Sequence, residues 1–220
     1  MRLHFVRLQA SRFAQVKRID MQHYFIEKEH KASDYFEFET QVCDMKLKFR
    51  SCDSIFSKNE VDDGTLTLLN TVFDKVELTG NGLDLGCGYG VIGISIIKKL
   101  GLNCDMVDVN GTAVDLALHN LMLNGIRSGA NVIKSNGFEN VKNSYDFIVT
   151  NPPIKTGKAL LFSLMDGCFE HLNKGGTLTL VIRKNHGEKS LKKKLTELFG
   201  NCEILKRNKG FYILHSTRTI

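Results

Sequence analysis

Residues 83–93 read LDLGCGYGVIG: an apolar run carrying one acid, glycines at every second position, then the start of an apolar helix. Glycine at 86, 88 and 90 lets the backbone turn tightly and approach a ligand with no Cβ in the way. The first N–H groups of the following helix lack an intrahelical partner and face the same crevice. Strand, glycine loop and helix in that order open an α/β unit. In open α/β sheets, ligands lie beyond the carboxyl ends of the strands, near the switch in strand order.

Outward from this unit, strands and helices alternate. NGLDLG (81–86) leads into an apolar helix over Val91–Leu100, and NCDMVDV (103–109) is the second strand. Ala113, Leu116, Ala117 and Leu121 line one face of the next helix, which stops at Asn124-Gly125. ANVIKSN (130–136) and YDFIVTN (145–151) are the third and fourth strands, and Leu161, Leu164, Met165, Cys168 and Leu172 mark another helix. The turn NKGG (173–176) feeds TLTLVIRK (177–184), and a Lys-rich helix buries Leu191, Leu195 and Leu198. CEILKR (202–207) and GFYILHST (210–217) close the chain as a hairpin, so one of them runs antiparallel. This predicts a mostly parallel seven-stranded α/β sheet with helices on both faces. Upstream, YFEFETQV (35–42) and MKLKFRS (45–51) alternate around Cys43-Asp44 as a β-hairpin, and Leu66, Leu69, Val72, Phe73 and Val76 form a helix behind Asp62-Asp63. The expected organisation is a basic extension over 1–20, a hairpin preface over 21–60 and the main domain over 61–220.

Composition narrows the class. A chain of 220 residues, 42% hydrophobic and 25% charged, suits one soluble α/β domain with a small appendage. No apolar run approaches the roughly 18 residues that span a bilayer, so no membrane partner is expected. Six cysteines are scattered without C-x-x-C or zinc-type spacing, which predicts reduced thiols, no metal and a cytoplasmic setting. The net charge of +6 is uneven: Arg2, Arg7, Arg12, Lys17 and Arg18 face only Asp20 in the first twenty residues. The domain itself is only mildly basic, and charge alone is weak evidence for an RNA partner. The organised pattern begins after Met21, so residues 1–20 read as an upstream extension in preference to a transit peptide.

The glycines alone leave two ligands open. Gly88-x-Gly90-x-x-Gly93, with Asp108 twenty residues after Gly88, matches a dinucleotide fingerprint. Asp84-x-Gly86-x-Gly88-x-Gly90 matches the form used for S-adenosylmethionine. A second signal lies at NPPIKTG (151–157), which holds both prolines of the chain where the fourth strand should stop. Asp84 with its glycines, Asp108, Ser135-Asn136 and Asn151-Pro152-Pro153 thus fall in order at the ends of successive strands. That constellation resembles the class I S-adenosylmethionine-dependent methyltransferases, with their Rossmann-like fold, over roughly residues 61–220. The Asn-Pro-Pro element is similar to that of enzymes methylating exocyclic or amide nitrogens. FSKNEVDDGTLTLL (56–69) together with NPPIKTG resembles the C-type small-subunit ribosomal RNA guanine-N2 methyltransferases, in a single-domain form.

The resemblance implies roles. Gly86, Gly88 and Gly90 would pass close to the methionine portion of S-adenosyl-L-methionine, with Asp84 reaching its ammonium. Asp108, with Val109 beside it, would accept the ribose hydroxyls, and Asn136 would meet the adenine edge. Asn151 and Pro152 would be catalytic, Asn151 also touching the cofactor. A guanine amine is a poor nucleophile because its lone pair is delocalised into the ring. Two acceptors on its N–H groups, the Asn151 side-chain and Pro152 backbone carbonyls, would favour the pyramidal geometry and the developing positive charge. Pro153 stiffens the corner.

Pro153, Ile154, Lys155 and Arg183 would contact substrate, with Lys158 and Lys184 nearby; Lys192, Lys193 and Lys194 read as a solvated face, and His186 as an exposed loop residue. Many Asn-Pro-Pro enzymes follow with an aromatic residue, whereas this chain has Ile154, so either Ile154 packs apolarly on the base or another ring such as Phe56 or Tyr89 supplies the stacking face. Some bacterial enzymes of this branch also carry two copies of the fold, and this chain has room for one. The expected function is methyl transfer to guanine N2 in small-subunit ribosomal RNA, with that RNA or the small ribosomal subunit as partner and a monomer favoured. The alternatives are a glutamine side-chain amide in a protein such as a release factor and, from another class, a nicotinamide-type oxidoreductase or nucleotide-binding module.

Overall fold

The computed structural model describes residues 35–53, 55, 60–154 and 157–219. The expected extension over 1–20, the start of the preface, Phe56 and Lys155 lie outside the described residues. Strands β1 (Tyr35–Val42) and β2 (Met45–Cys52) pair antiparallel in unbroken register, Tyr35 opposite Cys52 and Val42 opposite Met45. Helix α1 (Asp63–Lys75) follows. The alternating series then runs β3 (Asn81–Leu85), α2 (Val91–Leu100), β4 (Asn103–Asp108), α3 (Gly111–Leu123), β5 (Val132–Lys134) and β6 (Tyr145–Thr150). It continues through α4 (Lys158–His171), β7 (Leu172–Arg183), α5 (Glu188–Phe199), β8 (Glu203–Asn208) and β9 (Phe211–Thr217).

The seven strands from β3 onward form one sheet in the order β5-β4-β3-β6-β7-β9-β8, and only β9 runs against the others. The expected seven-stranded, mostly parallel Rossmann-like sheet is present. Two strand ends differ from the sequence reading. The β5 ladder shrinks to three residues, although the backbones of Asn131 and Ser135 still bond to Met106 and Asp108 of β4. The NKGG stretch bulges within β7, because the register with β6 jumps from Tyr145–Leu172 to Phe147–Thr177.

Strands buried on both faces send alternate side chains to opposite sides. Phe147 and Val149 join a core shared with the hairpin and helices α1 to α3, while Ile148 joins the core under α4 and α5. Chain direction reverses its lateral progress between β3 and β6, so the crevice at their carboxyl ends is the switch point. No helix among the described residues is long and apolar enough to cross a membrane.

The hairpin is locked to the end of α3 by two asparagines one turn apart, Asn120 within the helix and Asn124 as its C-cap. The Asn120 amide accepts from Arg50 N–H (2.7 Å) and donates to Arg50 C=O (2.9 Å). Asn124 repeats the pattern with Lys48, at 3.1 and 2.7 Å. Two side-chain amides thereby serve as the missing neighbour of an edge strand, which would otherwise present unpaired backbone groups. The second Asn120 N–H reaches Tyr89 C=O in the glycine loop, at 2.9 Å. The Tyr89 ring packs edge-on against Phe38 and Phe49, with centroids 6.1 and 5.4 Å away.

Candidate active site

Asp84 stands fully buried near the end of β3. Its Oδ2 accepts the Gly93 N–H at 2.9 Å, while its Oδ1 is buried with no hydrogen-bond partner among the described residues. Burial is the main force on this carboxyl; the Gly93 bond opposes it and the Asp108 charge reinforces it, pushing the pKa up to about 7. A buried oxygen short of donors is costly, and a cationic donor relieves it.

The loop beyond Asp84 is anchored from below. Gly86 and Cys87 N–H groups both donate to Val107 C=O, at 2.8 and 2.9 Å. Gly86 and Gly88 have φ of +72° and +56°, and a Cβ built on either meets nothing within 4 Å. Left-handed backbone explains why glycine is needed, and the open space above leaves the loop free to lie against a ligand. Gly90, also left-handed, caps the start of α2.

Asp108, half-buried at the end of β4, ties the loops together. Its Oδ2 accepts Gly88 N–H and its Oδ1 accepts Asn110 N–H, both at 2.9 Å. Burial outweighs these bonds and raises its pKa. Each oxygen keeps a lone pair for a hydroxyl donor. The N-cap of α3 is Asn110, so Asp108 is not committed to capping; Val109 sits half-buried between them. Asn136 lies in the turn after β5, its side-chain N–H₂ donating to Glu139 Oε1 at 2.9 Å.

Next to β3, strand β6 ends at Thr150, whose hydroxyl donates to Leu85 C=O at 2.6 Å. Asp84 pairs in register with Val149, which places Asn151 two residues beyond it at the crevice. The Asn151 N–H₂ donates to Thr65 Oγ1 (2.9 Å) and faces both Asp62 carboxylate oxygens (3.3 and 3.4 Å). Its Oδ1 receives no hydrogen bond from the described residues. Pro152 is buried, while Pro153 and Ile154 are half-buried, Ile154 against the α4–α5 core.

Arg183 is exposed at the end of β7, its guanidinium 4.7 Å above the Phe211 ring. Lys158, Lys184 and His186 are exposed as well. Tyr89 does not supply a stacking face: it is 4% exposed, and the hairpin aromatics occupy its ring. Lys194 departs from the solvated-face reading, since it pairs with Asp166 of α4 at 2.5 Å. From sequence, Asp62 reads only as a helix start and Thr65 carries no separate signal. The cap is legible in Asp-Asp-Gly-Thr, but their contact with Asn151 is not.

The fold and crevice have counterparts. The sequence profile of the methyltransferase small domain family matches residues 46–215. An uncharacterized protein of Bacillus subtilis, YbxB, is 36% identical over 200 residues, covering 90% of this chain and 98% of that protein. Ribosomal RNA small subunit methyltransferase C of Colwellia psychrerythraea is 33% identical over 186 residues, covering 82% of this chain and 50% of its own. The chain thus spans about half the length of the relatives bearing that name. The T. thermophilus 16S rRNA N2 G1207 methyltransferase, solved with AdoMet and guanosine, superposes with a TM-score of 0.75 at 23% identity, over 84% of this chain and 50% of that one. That likeness is one of fold.

Proposed function

From the premise that this chain belongs to the methyltransferase small domain family and is a class I S-adenosylmethionine-dependent methyltransferase, we propose that it methylates an exocyclic base amine, guanine N2 of small-subunit ribosomal RNA. The observation that carries this reading is Asn151 at the switch point, its N–H₂ turned toward α1 and its carbonyl oxygen unengaged among the described residues.

When bound, S-adenosylmethionine supplies a methyl group on a positively charged sulfur, reactive toward a nitrogen lone pair. The residues present fit it: the unpartnered Asp84 Oδ1 suits an ammonium, the Asp108 oxygens suit a pair of hydroxyls, and the open backbone at Gly86 and Gly88 allows close approach. Asn151 Oδ1 and Pro152 C=O accept the two N–H groups of the amine and orient its lone pair. Neither is a strong base, and none is needed, because positioning and preorganised acceptors favour the charge that develops on nitrogen. The methylated amine then loses its proton to water. Exposed Arg183, Lys184 and Lys158 at the same end of the sheet suit a phosphate backbone.

The test is radiolabelled methyl transfer to total RNA, small ribosomal subunits and protein extract, all from cells lacking the gene. Label recovered as N2-methylguanosine in small-subunit RNA is the expected result. Label confined to protein, resistant to ribonuclease, would move the acceptor to a side-chain amide.

A further inference from the structure

We propose that Asp62 and Thr65 are positioning residues for the transfer step, holding the Asn151 amide so that its carbonyl oxygen faces the methyl acceptor. The inference rests on the reading of Asn151 as an acceptor for the reacting amine.

Asp62 does more than start a helix. As the N-cap of α1 its Oδ1 takes the Gly64 and Thr65 N–H groups, at 2.9 and 3.1 Å. Its Oδ2 takes the Thr65 hydroxyl proton. The Thr65 hydroxyl is thereby committed as a donor to a group that can only accept, and its lone pairs are left for the Asn151 N–H. The chain of donors runs one way: Asn151 N–H₂ to Thr65 Oγ1, Thr65 O–H to Asp62. A carboxylate and a hydroxyl lone pair both select the amide nitrogen, so the flipped rotamer, carbonyl toward α1, would set oxygen against oxygen. The negative charge behind the N–H₂ also pushes electron density toward Asn151 Oδ1, making it a better acceptor, since hydrogen bonds in series polarise one another.

Two neighbours show that the placement is specific. A Cβ at Gly64 would stand 2.8 Å from Asp62 Oδ1 and 2.8 Å from the Phe211 ring, so glycine there gives the carboxylate room. Asp63, one residue on, is exposed and among the described residues pairs with the surface Lys209, at 3.9 Å.

The experiment compares Thr65→Val, Thr65→Ser, Asp62→Asn and Asn151→Ala in the full chain. Probes are small-subunit ribosomal RNA from cells lacking the gene, S-adenosylmethionine alone for binding, and the side-chain amide signals of Asn151 in ¹⁵N–¹H spectra, assigned by their loss in Asn151→Ala. Asparagine caps helices as well as aspartate does, so Asp62→Asn keeps α1 while removing the charge. The expected result is a kcat lowered about 10²-fold in Thr65→Val and Asp62→Asn, since small misplacements cost that much. KM, cofactor affinity and melting temperature should hold, Thr65→Ser should restore the rate, and the Asn151 amide signals should move in Thr65→Val.

A wild-type kcat in Thr65→Val, a loss that follows cofactor affinity or melting temperature, or unmoved amide signals would each overturn the proposal. Asn151→Ala separates the two claims. If it stays active, the acceptor reading falls and the positioning with it; if it is dead while Thr65→Val is fully active, only the positioning falls. The amide signals are read without substrate, so that arm also decides the matter for a protein acceptor.

Discussion

Asp84 and Asp62 serve one crevice in opposite ways. Asp84 is wholly buried and, among the described residues, receives one N–H and keeps an oxygen without a partner. Asp62 is partly exposed and surrounded by donors from its own helix turn and from Asn151. The first carboxylate is short of hydrogen bonds until a cation arrives; the second is saturated in the free protein and orients a neighbour. A binding group gains from being left incomplete. A positioning group gains from being completed before substrate arrives.

The sharpest way to break this contrast is Asn151→Ala, which should lower single-turnover methyl transfer by about 10²- to 10³-fold, the usual cost of losing a preorganised group at the reacting centre. Cofactor affinity, read by calorimetry, should be largely spared; a parallel collapse of both would mean that Asn151 binds and does not catalyse.

Asp84→Asn should do the reverse, weakening cofactor binding by roughly 10- to 100-fold, the scale of one lost charged hydrogen bond. Its pH dependence sharpens the point. With a folded pKa raised to about 7, Asp84 is protonated in acid, so affinity for a cationic ligand should fall as pH drops through about 7 and flatten in Asp84→Asn. For the free protein the sign is opposite to that of a paired carboxylate. The stability linked to Asp84 is fully present below its unfolded pKa and lost as pH rises toward 7. Melting temperatures across that window, compared between wild type and Asp84→Asn, check this.

Smaller effects lie outside the crevice. Asn120→Ala leaves two Arg50 backbone groups and the Tyr89 carbonyl without their amide partner and should lower stability by about 1–3 kcal/mol in denaturant titration. Arg183→Ala should weaken RNA binding modestly, without sequence preference, and reduce the salt slope by about 1.

What could be read from sequence follows the span of each contact. Asp84 to Gly93 and Gly88 to Asp108 lie within one βαβ unit, so spacing alone placed both acids at strand ends. The sheet was legible for the same reason: apolar runs of strand length alternate with helical ones, and the turn before β9 is short. The corner was legible as a rigid bend, because two adjacent prolines leave few alternatives. Its partners were not. Thr65 and Asn151 are 86 positions apart, and a helix cap has the same local signature whether or not it holds a distant side chain. Tyr89 was open to misreading for a kindred reason: a tyrosine in a glycine loop suggests a ligand contact until the hairpin rings are found against it.

The asparagine ladder between α3 and β2 carries a consequence for descent. Asn120 joins Arg50 of the hairpin and Tyr89 of the glycine loop through one side chain, and Tyr89 closes the arrangement against Phe38 and Phe49. The two asparagines grip β2 through its backbone, so their hold does not depend on which side chains stand at 48 and 50, whereas 89, 120 and 124 are not free to drift singly. A lineage that replaced the hairpin would have to exchange those three together with the two phenylalanines. Across homologues, this set should be inherited or lost as a block.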